Sequence, residues 1–160
     1  MSGARTLLLM RHATAEHGHG ADYERCLTGL GREQAEAVGR LLSRRGYVPD
    51  HVICSAAKRT VQTLDGVLGA MELESPPEVD YSEAAYSAGV DTLLELVNGV
   101  DAQARTVLVV AHNPTVAQLA AGFVGGDALV SYSPATVAAV DLEVEWLYAA
   151  PGTGSGTLLN

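Results

Sequence analysis

A chain of 160 residues, 48% of them hydrophobic and 18% charged, can bury one sizeable core; this excludes a disordered chain and fits a single domain. Its formal net charge of −9 excludes a general nucleic-acid or anionic-membrane surface, so an anionic substrate needs a local basic pocket set against that background. Two cysteines make no disulfide framework and point to a reducing, cytoplasmic setting; no run reaches membrane-spanning length, and the apolar part of MSGARTLLLMRH is too short for a secretory signal.

Thr6 to Met10, TLLLM, is a continuous apolar run, as in a strand buried on both faces. Residues 11–27 are polar, with glycines and histidines, and read as a loop. Thr28 caps a predicted helix that runs to about Arg45, with Val38, Leu41, Leu42 and Arg45 at helical spacing and Gly46 as its stop. HVICS, His51 to Ser55, is a second buried strand, followed by a helix from about Ala57 to Leu68. Pro76-Pro77 breaks the chain before EVDYSE, a candidate third strand. Val90 to Val100 reads as a helix, and TVLVVA, Thr106 to Ala111, is the clearest strand. Asn113 then caps a helix with Pro114 at its first position. ATVAAVDLE and EWLYAA suggest a closing hairpin, so that residues 1–150 form the domain and PGTGSGTLLN, residues 151–160, a flexible tail. Alternating strands and helices predict a single α/β domain, three layers deep, α/β/α, with a mostly parallel sheet.

In such sheets ligands bind at the carboxyl ends of the strands. TLLLM is followed by Arg11-His12, HVIC by Ser55 with Arg59 one helical turn on, and TVLVVA by His112. Separate strand ends thus bring two arginines and two histidines to one sheet edge. That set suits phosphoryl transfer. Guanidinium forks hold phosphate oxygens and offset the charge spread over the transferred group. A neutral imidazole can attack phosphorus, and neighbouring positive charge keeps it neutral near pH 7. A second histidine can donate a hydrogen bond to the phosphoryl oxygens.

LMRHATA, CSAAKRTVQT and VVAHNP, in this order, resemble the three signatures of the histidine phosphatase superfamily, the phosphoglycerate mutase-like or branch-RHG family. The resemblance implies His12 as nucleophile, with Arg11, Arg59 and His112 holding the phosphoryl group. Within that family the chain is most similar to the small SixA-type phosphohistidine phosphatases. DYERCLTGLGREQA resembles their D…R-x-L-T…G…QA segment, which implies Arg25 as a further phosphate contact. The family's acid/base glutamate precedes an LY pattern; EAAY matches it in outline and marks Glu83 as the candidate general acid. Ala13 stands where the family usually has glycine. The short stretch between Glu83 and His112 leaves no room for a cap domain, and an open pocket suits a phosphorylated side chain on another protein. The implied activity uses no metal and no cofactor.

Other readings carry less. CLTGLGR has the Cys-x5-Arg spacing of a cysteine-phosphatase loop, Cys26 to Arg32, but GADYER before it is no buried strand, and such a loop needs its cysteine at a strand end. Cys54 follows a strand, but Arg59 comes one residue too early; it reads as a small core residue. His17, His19 and Asp22 read as a solvated glycine-rich loop rather than metal ligands, and His51 as a surface residue. The rivals to a phosphohistidine phosphatase are a small-molecule phosphomonoesterase of the same fold and a non-catalytic module that binds phosphate or phosphohistidine.

Overall fold

The computed structural model describes residues 4–18 and 20–160. Six strands form one mixed sheet in the order β3-β2-β4-β1-β5-β6. They are β1 (Arg5–Arg11), β2 (His51–Ser55), β3 (Glu78–Ser82), β4 (Thr106–Ala111), β5 (Val137–Leu142) and β6 (Gly154–Leu158). β3, β2, β4 and β1 run parallel, and β5 and β6 close the sheet antiparallel. The central strands lack polar alternation because helices cover both faces. On one side Leu8, Met10, Val52, Leu108 and Val110 pack against Val38 and Leu42 of α1 (Gly29–Arg44) and Leu64 and Val67 of α2 (Lys58–Ala70). On the other, Leu7, Leu9, Ile53, Val107 and Val109 meet Leu93 and Val97 of an interior helix, Val90–Asn98, and Leu119 and Phe123 of another, Thr115–Val124. A one-turn helix, α3 (Glu83–Tyr86), precedes the first of these, which is therefore α4; the second is α5. A short α6 (Asp127–Ser131) follows. This is the expected three-layer α/β/α domain without a cap.

Thr28 caps α1 as expected, its hydroxyl accepting from Gly31 N at 3.0 Å. α5 starts one residue later than expected, with Pro114 in the cap position and Asn113 Oδ1 accepting from Ala117 N at 3.3 Å. The loop of residues 11–27 contains a 3-10 turn, Asp22–Glu24, and a bridge between Ala15 and Leu27.

Two expectations at the C-terminus are corrected. EWLYAA is not the second arm of the hairpin: it forms a 3-10 turn, Trp146–Tyr148, whose Trp146 is buried with its Nε1 donating to Ala104 O at 2.6 Å. That second arm is β6, inside the segment read as a flexible tail. The glycines that suggested flexibility have a packing role. A Cβ on Gly156 would lie 2.1 Å from Ala139 O, and one on Gly154 2.5 Å from Asp141 O, so only glycine allows β6 to approach β5. Leu159 N donates to Val137 O at 2.9 Å, extending the pairing beyond the strand.

Candidate active site

Sheet register builds the site. β1 and β4 pair in parallel with Arg11 opposite Ala111, and β2 pairs with β4 with Cys54 opposite Val110. One step beyond the ladder therefore sets His12 beside His112, with Ser55 next to them. The imidazole centroids are 5.4 Å apart.

His12 is held on several sides. Its N–H donates to Ala111 O at 3.0 Å, its carbonyl accepts from Ala135 N at 3.1 Å, and ring Nδ1 lies 2.7 Å from Ala13 O. A carbonyl only accepts, so Nδ1 carries the ring proton and the lone pair is on Nε2. The next residue is fixed too: Ala13 N donates to Thr63 Oγ1 at 3.0 Å, and Thr63 Oγ1 donates to Arg59 O at 2.7 Å. Thr63 thus ties the His12 loop to the first turn of α2. Burial lowers the His12 pKa to about 4 against the pull of the Ala13 hydrogen bond, helped by the charges of Arg59, Arg11 and Arg25. The ring is neutral at pH 7.

His112 Nε2 lies 2.7 Å from Ser55 Oγ, which itself accepts from Ala57 N at 3.3 Å. We assign the Ser55 hydroxyl as donor to Nε2, which puts the proton of His112 on Nδ1. Burial, with Arg59 and His12 adding to it, lowers the His112 pKa to about 3. Arg11 Nη1 donates to Tyr132 O at 3.0 Å. Arg59, at the start of α2 and 6% exposed, donates from Nη1 to Asp22 O at 2.8 Å and from Nη2 to Asp22 Oδ2 at 3.0 Å. Arg11 Nε, Arg59 Nε and His112 Nδ1 are buried with no protein partner. An unmatched buried donor costs about 1–3 kcal/mol. N–H groups of this kind, on residues gathered around a neutral imidazole, are the donors that a tetrahedral oxyanion could use.

The structure brings together the four residues expected at the strand ends, His12, Arg11, Arg59 and His112. Arg25 is near enough for its charge to lower the pKa of both histidines, but its Nε is held by Glu16 O at 2.7 Å and its Nη1 by Asp22 Oδ1 at 3.0 Å. Glu83 begins α3 at the end of edge strand β3, on the same sheet edge; it is exposed, and its Oε1 accepts from Tyr23 OH at 2.6 Å, not from either histidine. Tyr86 packs edge-on against His112, with centroids 5.6 Å apart, and Tyr23 edge-on against Tyr86 at 5.0 Å.

Cys26 follows the 3-10 turn rather than a strand, and its thiol lies 3.7 Å from Glu24 O. Cys54 is buried, which pushes its thiol pKa up. Neither has the setting of a nucleophile. Among the described residues no group of three or more His, Cys, Asp or Glu could hold a metal; His19, one member of the cluster weighed above, lies outside them. Sequence reasoning set Asp22 aside as loop polarity and gave Ser55, Thr63, Tyr23 and Tyr132 no role. Asp22 does stand in the DYERCLT segment, but its partners lie in α2 and α3.

Comparison with known proteins agrees with this geometry. Residues 7–88 match the histidine phosphatase superfamily (branch 1). An uncharacterized protein of Mycobacterium tuberculosis is 32% identical over 153 residues, 89% of this chain and 93% of the relative. A solved structure from Nakamurella multipartitia, provisionally named phosphohistidine phosphatase SixA, superposes with a TM-score of 0.84 at 35% identity, covering 97% of this chain and 94% of that one. The protein histidine phosphatase SixA complexed with tungstate superposes with a TM-score of 0.71 at 25% identity, over 96% and 93%.

Proposed function

The chain belongs to the histidine phosphatase superfamily, and on that premise we propose that it is a SixA-type phosphohistidine phosphatase acting on a phosphorylated protein through a phosphohistidine intermediate at His12. One observation carries the reading: a neutral His12, its lone pair on Nε2, is gathered with His112, Arg59 and Arg11, whose Nδ1, Nε and Nε atoms are buried with no protein partner. Arg11, Arg59 and His112 hold the phosphoryl oxygens, and Arg25 adds positive charge at the rim.

In the first step Nε2 of His12 bonds to phosphorus in line while the P–N bond to the substrate imidazole breaks. That imidazole leaves with a proton from solvent. Water then attacks phosphorus, the P–Nε2 bond breaks, inorganic phosphate leaves, and the proton released by water returns to solvent. The guanidiniums supply the positive charge that metal ions supply in other phosphatases, so the reaction needs no metal. The low pKa of His12 keeps its free ring neutral and nucleophilic at the start of each turnover.

A protein substrate is favoured by the shape of the site. The chain from Glu83 to His112 folds into α3, α4 and β4 with no inserted cap, and Asp22 and Glu83 at the rim are exposed. Among the described residues no helix is long and apolar enough to cross a membrane. Both cysteines are free, which supports a cytoplasmic setting.

The test has two parts. Brief incubation with a histidine-phosphorylated carrier protein, then mass spectrometry, should find phosphate on His12; its absence during turnover would overturn the intermediate. A substrate panel should rank the phosphorylated carrier protein above small phosphate esters in kcat/KM. The reverse order would assign a small-molecule phosphomonoesterase, and binding without turnover a non-catalytic module.

A further inference from the structure

Asp22 sits where no catalytic role is needed, yet it is the most heavily bonded acid around the site. Its carboxylate accepts from Arg25 Nη1 at 3.0 Å, from Arg59 Nη2 at 3.0 Å and from Tyr86 OH at 2.7 Å, and its carbonyl accepts from Arg59 Nη1 at 2.8 Å. These donors come from its own loop, from α2 and from α3. An exposed ion pair is usually worth little, about 0–1 kcal/mol. Here one partner, Arg59, is 6% exposed, and both of its terminal nitrogens end on the same residue. A long side chain that would otherwise sample many rotamers is fixed before substrate arrives, with Nε as its buried unmatched donor.

We propose that Asp22 is a positioning residue: it clamps Arg59 and Arg25 so that their guanidiniums meet the phosphoryl group in one prepared geometry. Tyr86 completes the clamp and, packed on His112, links it to the second histidine. This rests on the reading of Arg59 as a phosphoryl-holding group. The opposing idea is that the Asp22 carboxylate is a built-in anion that competes with substrate for the same arginines. The structure favours positioning, because Asp22 holds Arg59 by its terminal nitrogens and leaves its Nε donor unmatched.

The experiment is a double-mutant cycle in the full chain with Asp22→Asn and Arg59→Ala. It is read by kcat/KM on a histidine-phosphorylated protein and by tungstate affinity from calorimetry. Removal of a partner that orients a ligand-holding side chain typically costs ~10- to 100-fold. Asp22→Asn is expected to lose that much in both readouts with an unchanged melting temperature. In the Arg59→Ala background the same substitution should lose distinctly less tungstate affinity, because its main client is gone. Tighter tungstate binding in Asp22→Asn would identify a competitor, and an undiminished loss beside Arg59→Ala a role unconnected with Arg59; either overturns the proposal. If Asp22→Asn does not fold, Tyr86→Phe, which removes one donor and keeps every charge, is read in the same assays. A parallel smaller loss supports positioning, and no change overturns it. Wild-type behaviour of Arg59→Ala would instead defeat the assignment of the site, a distinguishable failure.

Discussion

Lowering the pH from 7 should leave the nucleophile intact until about pH 4, far below the range of an ordinary histidine. Burial and three neighbouring arginines set the His12 pKa at about 4. At pH 5 such a ring is about 90% neutral, whereas a ring of ordinary pKa, about 6.5, is about 3% neutral. The reactive fraction therefore differs about thirtyfold at one pH. Two measurements check this. The acid limb of kcat/KM, which reports groups of the free enzyme, should fall near pH 4 once corrected for spontaneous hydrolysis. Imidazole ¹⁵N spectra should show His12 with its proton on Nδ1 at pH 7 and a second ring proton only near pH 4. Stability follows with a definite sign. Between about pH 4 and 6.5 the unfolded chain binds a proton at His12 that the folded chain does not, so stability rises with pH there. The contribution from His12, about 3 kcal/mol, is complete above pH ~6.5 and is lost as the pH falls toward 4. A His12 resonance titrating near 6.5 would refute both the burial of the ring and the role of the arginines around it.

His12→Ala should abolish turnover while Cys26→Ser leaves kcat within about twofold, since Cys26 lies in a loop whereas His12 follows a buried strand; steady-state kinetics of both variants decide. A chelator should leave activity unchanged, and loss restored by a divalent ion would contradict catalysis by arginine alone. Glu83→Gln should slow hydrolysis of alkyl phosphates much more than of phosphohistidine, by up to ~10²- to 10⁴-fold, because an alkoxide needs a proton and an imidazole leaves easily; equal losses in kcat/KM on both would remove Glu83 as the acid. Gly31→Ala would put a Cβ 2.1 Å from Thr14 O, pushing α1 off the loop behind His12, whereas Gly29 has open space; thermal melts should show about 1–3 kcal/mol lost in the first and no loss in the second.

The apolar runs that became β1, β2 and β4 were legible because burial on both faces writes itself into consecutive residues. Arg11, His12 and His112 at their ends were legible for the same reason, since a strand fixes where the next side chain emerges, and Arg59 lies one helical turn beyond Ser55, in the first turn of α2. β6 was not, because its glycines answer to a neighbour's carbonyls: Gly156 is glycine on account of Ala139, and composition alone reads that as flexibility. Ser55 showed only as a strand-end residue, and its contact with His112 spans 57 positions.

Asp22 shows the same limit inside the site. A carboxylate in a polar loop has no periodicity to betray it, and its sequence neighbours His17 and Glu24 suggest only solvation. Its partners Arg59 and Tyr86 come within reach because β2 and β3 pair in register, with Ser55 opposite Ser82, which starts α2 and α3 from one edge of the sheet. Register thus does two things at once. It sets His12 against His112, and it gathers Tyr86 and Arg59, which the loop carboxylate of Asp22 binds. On the proposed function, the two histidines therefore sit at rigid strand ends, where geometry is least negotiable. Ser55 and Thr63, which hold the histidines, are buried with them, whereas Asp22 and Glu83 sit at the exposed rim, where a phosphorylated protein would make first contact on the proposed function. Chemistry and recognition are divided along that line, so changes at the rim should move substrate preference before they move the identity of the nucleophile.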